Sequence, residues 1–111
     1  MRKKKVNNHN DGIARFFSKK DKNKNVRSLD DLEYLGFLYF QERSRRQEDI
    51  EFAEQYEGQL SLKISTPNDG NMDTNRNVVI EDVIYSIIYI DRDRENQELF
   101  FYLEEMRRIE R

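Results

Sequence analysis

A chain of 111 residues has room for one ordinary domain and no second core. With 36% hydrophobic and 38% charged residues that core must be thin, and the absence of cysteine excludes disulfides, thiolate metal sites and cysteine nucleophiles, as fits a reducing compartment. The net charge of −2 hides two parts of opposite sign: residues 1–27 carry ten Lys or Arg against Asp11 and Asp21, a balance of +8, whereas 28–111 balance at −10.

The chain opens on RKKK and NNHNDG, almost without apolar residues, so 1–12 reads as a flexible basic leader and 13–111 as a single domain. GIARFF at 12–17 has the length and aromatic content of a strand, and SKKDKNKNVRS after it reads as a solvated loop or hairpin tip. EYLGFLYFQER at 33–43 is apolar on both sides, the pattern of a strand packed on both faces, with a short helix as the alternative. From Ser44 the period changes: Ile50, Ala53 and Tyr56 recur at helical spacing and Phe52 reaches Tyr56, which predicts a helix near 45–57. Ser44 and Gln47 suit its start, Glu48 and Asp49 its first turns, and Gly58 a left-handed stop.

QLSLKIST then alternates, with Leu60, Leu62 and Ile64 on one face, and PNDGNMDTNRN at 67–77 is a polar loop. NVVI, VIYSIIYI and ELFFYLEEM follow as an antiparallel meander, joined by a tight Glu81-Asp82 turn and a solvated DRDRENQ tip. The fold class is mainly β, a small antiparallel β-barrel-like domain with one α-helix inserted between strands and a basic arm in front. Strict alternation sends Tyr85, Ile87 and Tyr89 one way and Ile84, Ile88 and Ile90 the other; Leu99, Phe101 and Leu103 likewise oppose Phe100 and Tyr102. A barrel has one interior, so the second apolar face must meet the helix, a loop or another subunit. Tyr85, Ile88, Ile90, Phe100 and Tyr102 are the candidates for a subunit interface.

Chemistry is sparse. His9, the sole histidine, sits between asparagines with nothing evident to hold its ring, and no glycine-rich phosphate loop, zinc or EF-hand motif or serine elbow is present. Arg92 and Arg94 neutralise the Asp91 and Asp93 pair, and Asp69 and Asp73 lack the ordered spacing of a calcium loop. The expectation is a protein that is not an enzyme, with no catalytic residue, metal or cofactor. The longest apolar stretch, 83–90, is too short to span a bilayer, and no apolar signal region follows the N-terminal charges, so the chain reads as soluble and unexported. Arg2, Lys3, Lys4 and Lys5, with Lys19, Lys20, Lys22 and Lys24, are candidates for contact with phosphate or an acidic partner.

The run of segments resembles the head completion proteins, also called head closure or head-to-tail adaptor proteins, of long-tailed bacteriophages. The likeness passes through ERSRRQEDIEFAEQ and GQLSLKISTPNDGNMDTNRNVVI to VIYSIIYIDRDRENQELFFYLEE. Glu48, Asp49, Ile50 and Ala53, then Leu60, Leu62 and Ile64, then Val78, Val79 and Ile80 follow the family's order of residue types. Three departures stand out: Arg46 where a serine cap is usual, Ile50 in place of an aromatic, and Glu81-Asp82 in place of a glycine turn.

The resemblance implies a ring, typically dodecameric, in the virion neck, beneath the portal or adaptor protein and above the tail or a tail-terminator protein. The subunit is made in the host bacterial cytoplasm, and the ring closes the channel on packaged double-stranded DNA and receives the tail. It also implies that the segment around the helix faces the channel, here Ser44, Arg45, Arg46, Gln47, Glu48, Asp49, Glu51, Glu54 and Glu57, whose carboxylates would repel phosphate and let DNA slide. The alternatives are a small nucleic-acid-binding barrel module, whose affinity falls steeply with salt, and a phage-encoded regulator or inhibitor of a host protein.

Overall fold

A computed structural model describes residues 9–109. Six strands make an antiparallel barrel: β1 (Gly12–Lys19), β2 (Leu32–Arg43), β3 (Leu62–Pro67), β4 (Asn77–Ile80), β5 (Val83–Asp93) and β6 (Glu98–Arg108). The order around the barrel is β1-β2-β3-β6-β5-β4, and β4 closes on β1 through Arg15 opposite Val79, Phe16 opposite Val78 and Phe17 opposite Asn77. Among the described residues the one α-helix, α1 (Gln47–Glu54), lies between β2 and β3 in the chain, and a 3-10 turn (Leu29–Asp31) leads into β2. The barrel, the inserted helix and the C-terminal meander are as the alternation of the sequence predicts.

The interior is filled from all six strands. Ala14, Phe16, Phe40, Ile64, Val78, Ile80, Ile87, Leu99, Phe101 and Leu103 form the buried cluster, with Met72 of the 67–77 loop plugging one end. Phe16 and Phe101 meet across the barrel with ring centroids 5.4 Å apart. Arg92 ties the plug down, donating from Nη2 to the Met72 carbonyl at 2.7 Å and from Nη1 to that of Asp69 at 3.2 Å.

Strict alternation fails in β5, because Ile87 pairs with Leu103 while Tyr89 pairs with Tyr102, leaving Ile88 as an extra bulged residue. The bulge turns the strand over. Tyr85, Ile87 and Ile90 therefore share the interior side, and Ile88 and Tyr89 lie together outside, beneath α1. A strand read by its period alone cannot reveal an inserted residue, so the expected division into Tyr85, Ile87, Tyr89 against Ile84, Ile88, Ile90 is corrected here.

Three further expectations change. The helix is shorter than 45–57 and is capped by Arg46, whose backbone N–H donates to Asp49 Oδ2 at 3.0 Å; Ser44 takes no part. Its left-handed terminator is Glu57 (φ 59), not Gly58. Gly58 is needed for another reason: a Cβ there would sit 2.9 Å from Cδ1 and Cγ1 of Ile88. The lysine-rich loop is not wholly solvated, since Val26 is buried against Phe17, Leu32, Val79 and Ile84 on the outside of the barrel. Finally, β2 is not buried on both faces: Tyr34, Leu35, Phe37 and Tyr39 are 45–55% exposed.

Of the expected leader, 1–8 lies outside the described residues. Residues 9–12 are joined to the barrel: the Asp11 N–H donates to the Phe40 carbonyl at 2.9 Å, and its carboxylate accepts from the Glu42 N–H at 2.7 Å.

Candidate functional site

Two places on the outside of the barrel concentrate polar chemistry or unpartnered apolar surface. The first is the face of β3 and β6 that α1 covers. Eight residues are too few for a helix to hold its shape in water, so packing must supply the stability. Ala53 is fully buried with Leu60 and Tyr102, and Ile50, Phe52, Ile88, Tyr89 and Phe100 close around them. Phe52 stacks at 4.9 Å on Tyr89 and 5.5 Å on Tyr102, and Tyr56 at 5.5 Å on Tyr89, with Tyr56 still 52% exposed.

Beneath the helix start, Asp49 is buried. Its Oδ1 accepts from Lys63 Nζ at 3.1 Å and from the Tyr102 hydroxyl at 3.2 Å, and its Oδ2 accepts the capping bond. Lys63 lies 5.0 Å from the Tyr102 ring centroid and 5.6 Å from that of Phe100, so a carboxylate and two aromatic faces share one cation. Burial by itself would raise the Asp49 carboxyl, but the Arg46 N–H, Lys63 and Tyr102 reverse the effect and hold it below the usual range. Burial and the adjacent Asp49 charge push the Tyr102 hydroxyl up to about 12.

Further along the same face, Glu98 is 1% exposed. Its Oε1 takes Arg43 Nη2 at 2.8 Å and His9 Nε2 at 2.9 Å, and Arg43 Nε donates to Ser65 Oγ at 2.9 Å. Burial would raise this carboxyl too, and the bonds from His9, Arg43 and Ser65 lower it below the ordinary value. His9 is thus held, contrary to the reading that nothing would hold it; a partner 89 residues away leaves no trace in local sequence. The arrangement resembles an acid-base pair on paper, yet Ser65 is fully buried and Arg43 occupies the shared oxygen, so no nucleophile faces an open cleft. What the two clusters do is clamp: Asp49 fastens α1 to β3 and β6, and Glu98 fastens β2 and the segment at His9 to β6.

No family model and no curated protein matches the chain. Among the described residues no helix is long and apolar enough to cross a membrane, and no three His, Cys, Asp or Glu come together for a metal ion.

The sequence-named residues fall as follows. Ser44, Arg45, Arg46, Gln47, Glu48, Glu51, Glu54 and Glu57 are exposed, whereas Asp49 is buried in its ion pair and cannot line a channel. Of the interface candidates, Ile88, Phe100 and Tyr102 lie under α1, while Tyr85 and Ile90 pack toward the barrel interior; Tyr102 is buried and the other four are half-buried. Arg2, Lys3, Lys4 and Lys5 lie outside the described residues. Lys20, Lys22 and Lys24 are exposed on the β1–β2 loop, and Lys19 is half-buried at the end of β1.

The second place is the one sequence reading missed. The outer side of β1 and β2 carries Ile13 opposite Tyr39 and Arg15 opposite Phe37, with Tyr34 beside Phe17. Ile13, Tyr34, Phe37 and Tyr39 are 42–55% exposed. The α1 layer lies over β3, β6 and β5, on the far side of the ring, so it gives these side chains no cover and they stay about half exposed. The two-sided apolarity of EYLGFLYFQER was the available signal; it marked a strand with one apolar face left exposed instead of a buried strand.

Proposed function

We propose that this chain is a structural subunit of a phage neck, assembling as a ring beneath the portal or adaptor, closing the channel on packaged DNA and receiving the tail. The observation that carries the assembly part is the uncovered Ile13, Tyr34, Phe37, Tyr39 face. Half-exposed side chains of this size leave roughly 400 Å² of apolar area on one face, the size of the largest and often functional patch of an ordinary monomer. The resemblance supplies the place of assembly, and the exposed carboxylates Glu48 and Glu51 suit a wall past which phosphate must slide. Buried carboxylates closed off by cations support a structural role over a catalytic one.

The test is electron microscopy of the purified protein mixed with its candidate portal and adaptor. An added annular layer supports the reading; repeated absence of that layer with intact portal complexes overturns it.

The nucleic-acid-binding alternative gains one point from the exposed aromatics near Lys19, Lys20 and Lys22. Phe37 and Tyr39, however, stand edge to face at 88° and so do not offer parallel platforms to successive bases. Binding to single-stranded DNA that weakens steeply between about 50 and 200 mM salt would restore that alternative.

A further inference from the structure

We infer that the β1–β2 face of one copy receives the α1 edge of a second copy, in a head-to-tail contact. The inference rests on the assembly reading above and specifies which two surfaces meet.

The ring order β1-β2-β3-β6-β5-β4 sets β1 opposite β6 and β2 opposite β5. Because α1 packs on Tyr102 of β6 and Ile88 and Tyr89 of β5, its exposed edge points away from the aromatic face. One copy therefore presents the two surfaces on opposite sides, as a contact that repeats from subunit to subunit requires.

The surfaces also match in chemistry. The β1–β2 face is apolar around one exposed cation, Arg15, which stands opposite Phe37 between the Ile13–Tyr39 and Phe17–Tyr34 pairs, with exposed Asp11 at the Tyr39 end. The α1 edge carries a half-exposed ring, Tyr56, held in place by Phe52 and Tyr89, between the exposed carboxylates Glu54 and Glu57. An aromatic anchor flanked by acids fits an aromatic face with a cation at its centre, and attraction of Glu54 and Glu57 to Arg15 fixes the orientation. Pairing the β1–β2 face with itself about its centre would instead set the Arg15 guanidinium groups of two copies against each other. A free barrel edge is not an option either, since β4 pairs with β1.

The experiment uses the full chain in sedimentation velocity at low salt over a range of concentrations, with two variants. Phe37→Glu spoils the receiving face, and Glu54→Lys with Glu57→Lys spoils the inserted edge. Each change is at an exposed side chain, and thermal unfolding confirms that each variant folds; Tyr39→Ser replaces Phe37→Glu if the latter does not. The wild type should self-associate, and each variant alone should associate at least about tenfold more weakly.

Mixed together, the two variants should form a one-to-one dimer that grows no further, because each retains the surface the other lacks. Self-association of the edge variant alone at wild-type strength would overturn the pairing, as would a wild type that stays monomeric throughout. If Phe37→Glu still enters an annular layer on the portal complex, the neck reading stands and this pairing falls.

Discussion

Asp49→Asn should cost this protein much of its stability for the exchange of one atom, because the carboxylate is buried beneath the start of α1. The side chain now accepts a helix-capping bond from Arg46, an ion pair from Lys63 and a hydroxyl from Tyr102. Losing the cap costs about 1 kcal/mol. Breaking a fully buried pair costs about 3–5 kcal/mol, but the Lys63 side chain keeps 15% exposure and two aromatic faces, so about 2 kcal/mol is the appropriate share here. The total of about 3 kcal/mol is a large part of the roughly 5–15 kcal/mol by which a domain of this kind is stable. It should lower the melting temperature by roughly 12–20 °C.

Urea unfolding followed by circular dichroism measures the change directly, with Glu48→Gln, one residue away and exposed, as the control expected to stay within about 0.5 kcal/mol. Adding Lys63→Met to Asp49→Asn should recover part of the loss, because the orphaned cation is then gone. A loss below about 1 kcal/mol for Asp49→Asn, or one equal to that of Glu48→Gln, would refute the argument that Asp49 pins the helix.

Two other outcomes are expected. Asp49 and Glu98 both titrate below their ordinary values, so the folded form binds fewer protons than the unfolded one; the stability they give is fully present above the unfolded carboxyl range and drains away as pH falls through their lowered folded values. Urea midpoints measured down from neutral pH should therefore drop steeply in acid, and the drop should be shallower in Asp49→Asn. Gly58→Ala should destabilise by about 1–3 kcal/mol by driving its methyl into Ile88, and combining it with Ile88→Ala should cost less than the two changes added, as a double-mutant cycle would show.

Local pattern revealed what local pattern determines. The meander from Asn77 to Arg108, the Glu81-Asp82 turn with Glu81 left-handed at φ 54, and the inward set Leu99, Phe101, Leu103 all follow from period and turn chemistry within a few residues. The helix start at Arg46 and its stop at Glu57 were missed by a residue or two of local geometry, whereas the other misses depend on a partner distant in the chain. Asp49 looked like one more acid on an acidic helix because Lys63 and Tyr102 lie 14 and 53 residues away. His9 looked idle because Glu98 is far along the chain. Ile88 broke the strand's rhythm because β6 contributes one residue fewer at that point. The burial of β2 was misjudged for a related reason, since apolar residues on both sides of a strand state a need for cover without stating whether this chain provides it.

The closure of β4 onto β1 has a consequence for how such a subunit evolves. An open sheet can recruit any passing strand through its backbone, almost regardless of sequence. A sealed cylinder has no such promiscuous docking edge among its described strands, so every partner must be recognised through side chains. Specificity for neighbours is then written in a few surface positions and is open to drift by point substitution, while the hydrogen-bonded wall behind them is left untouched.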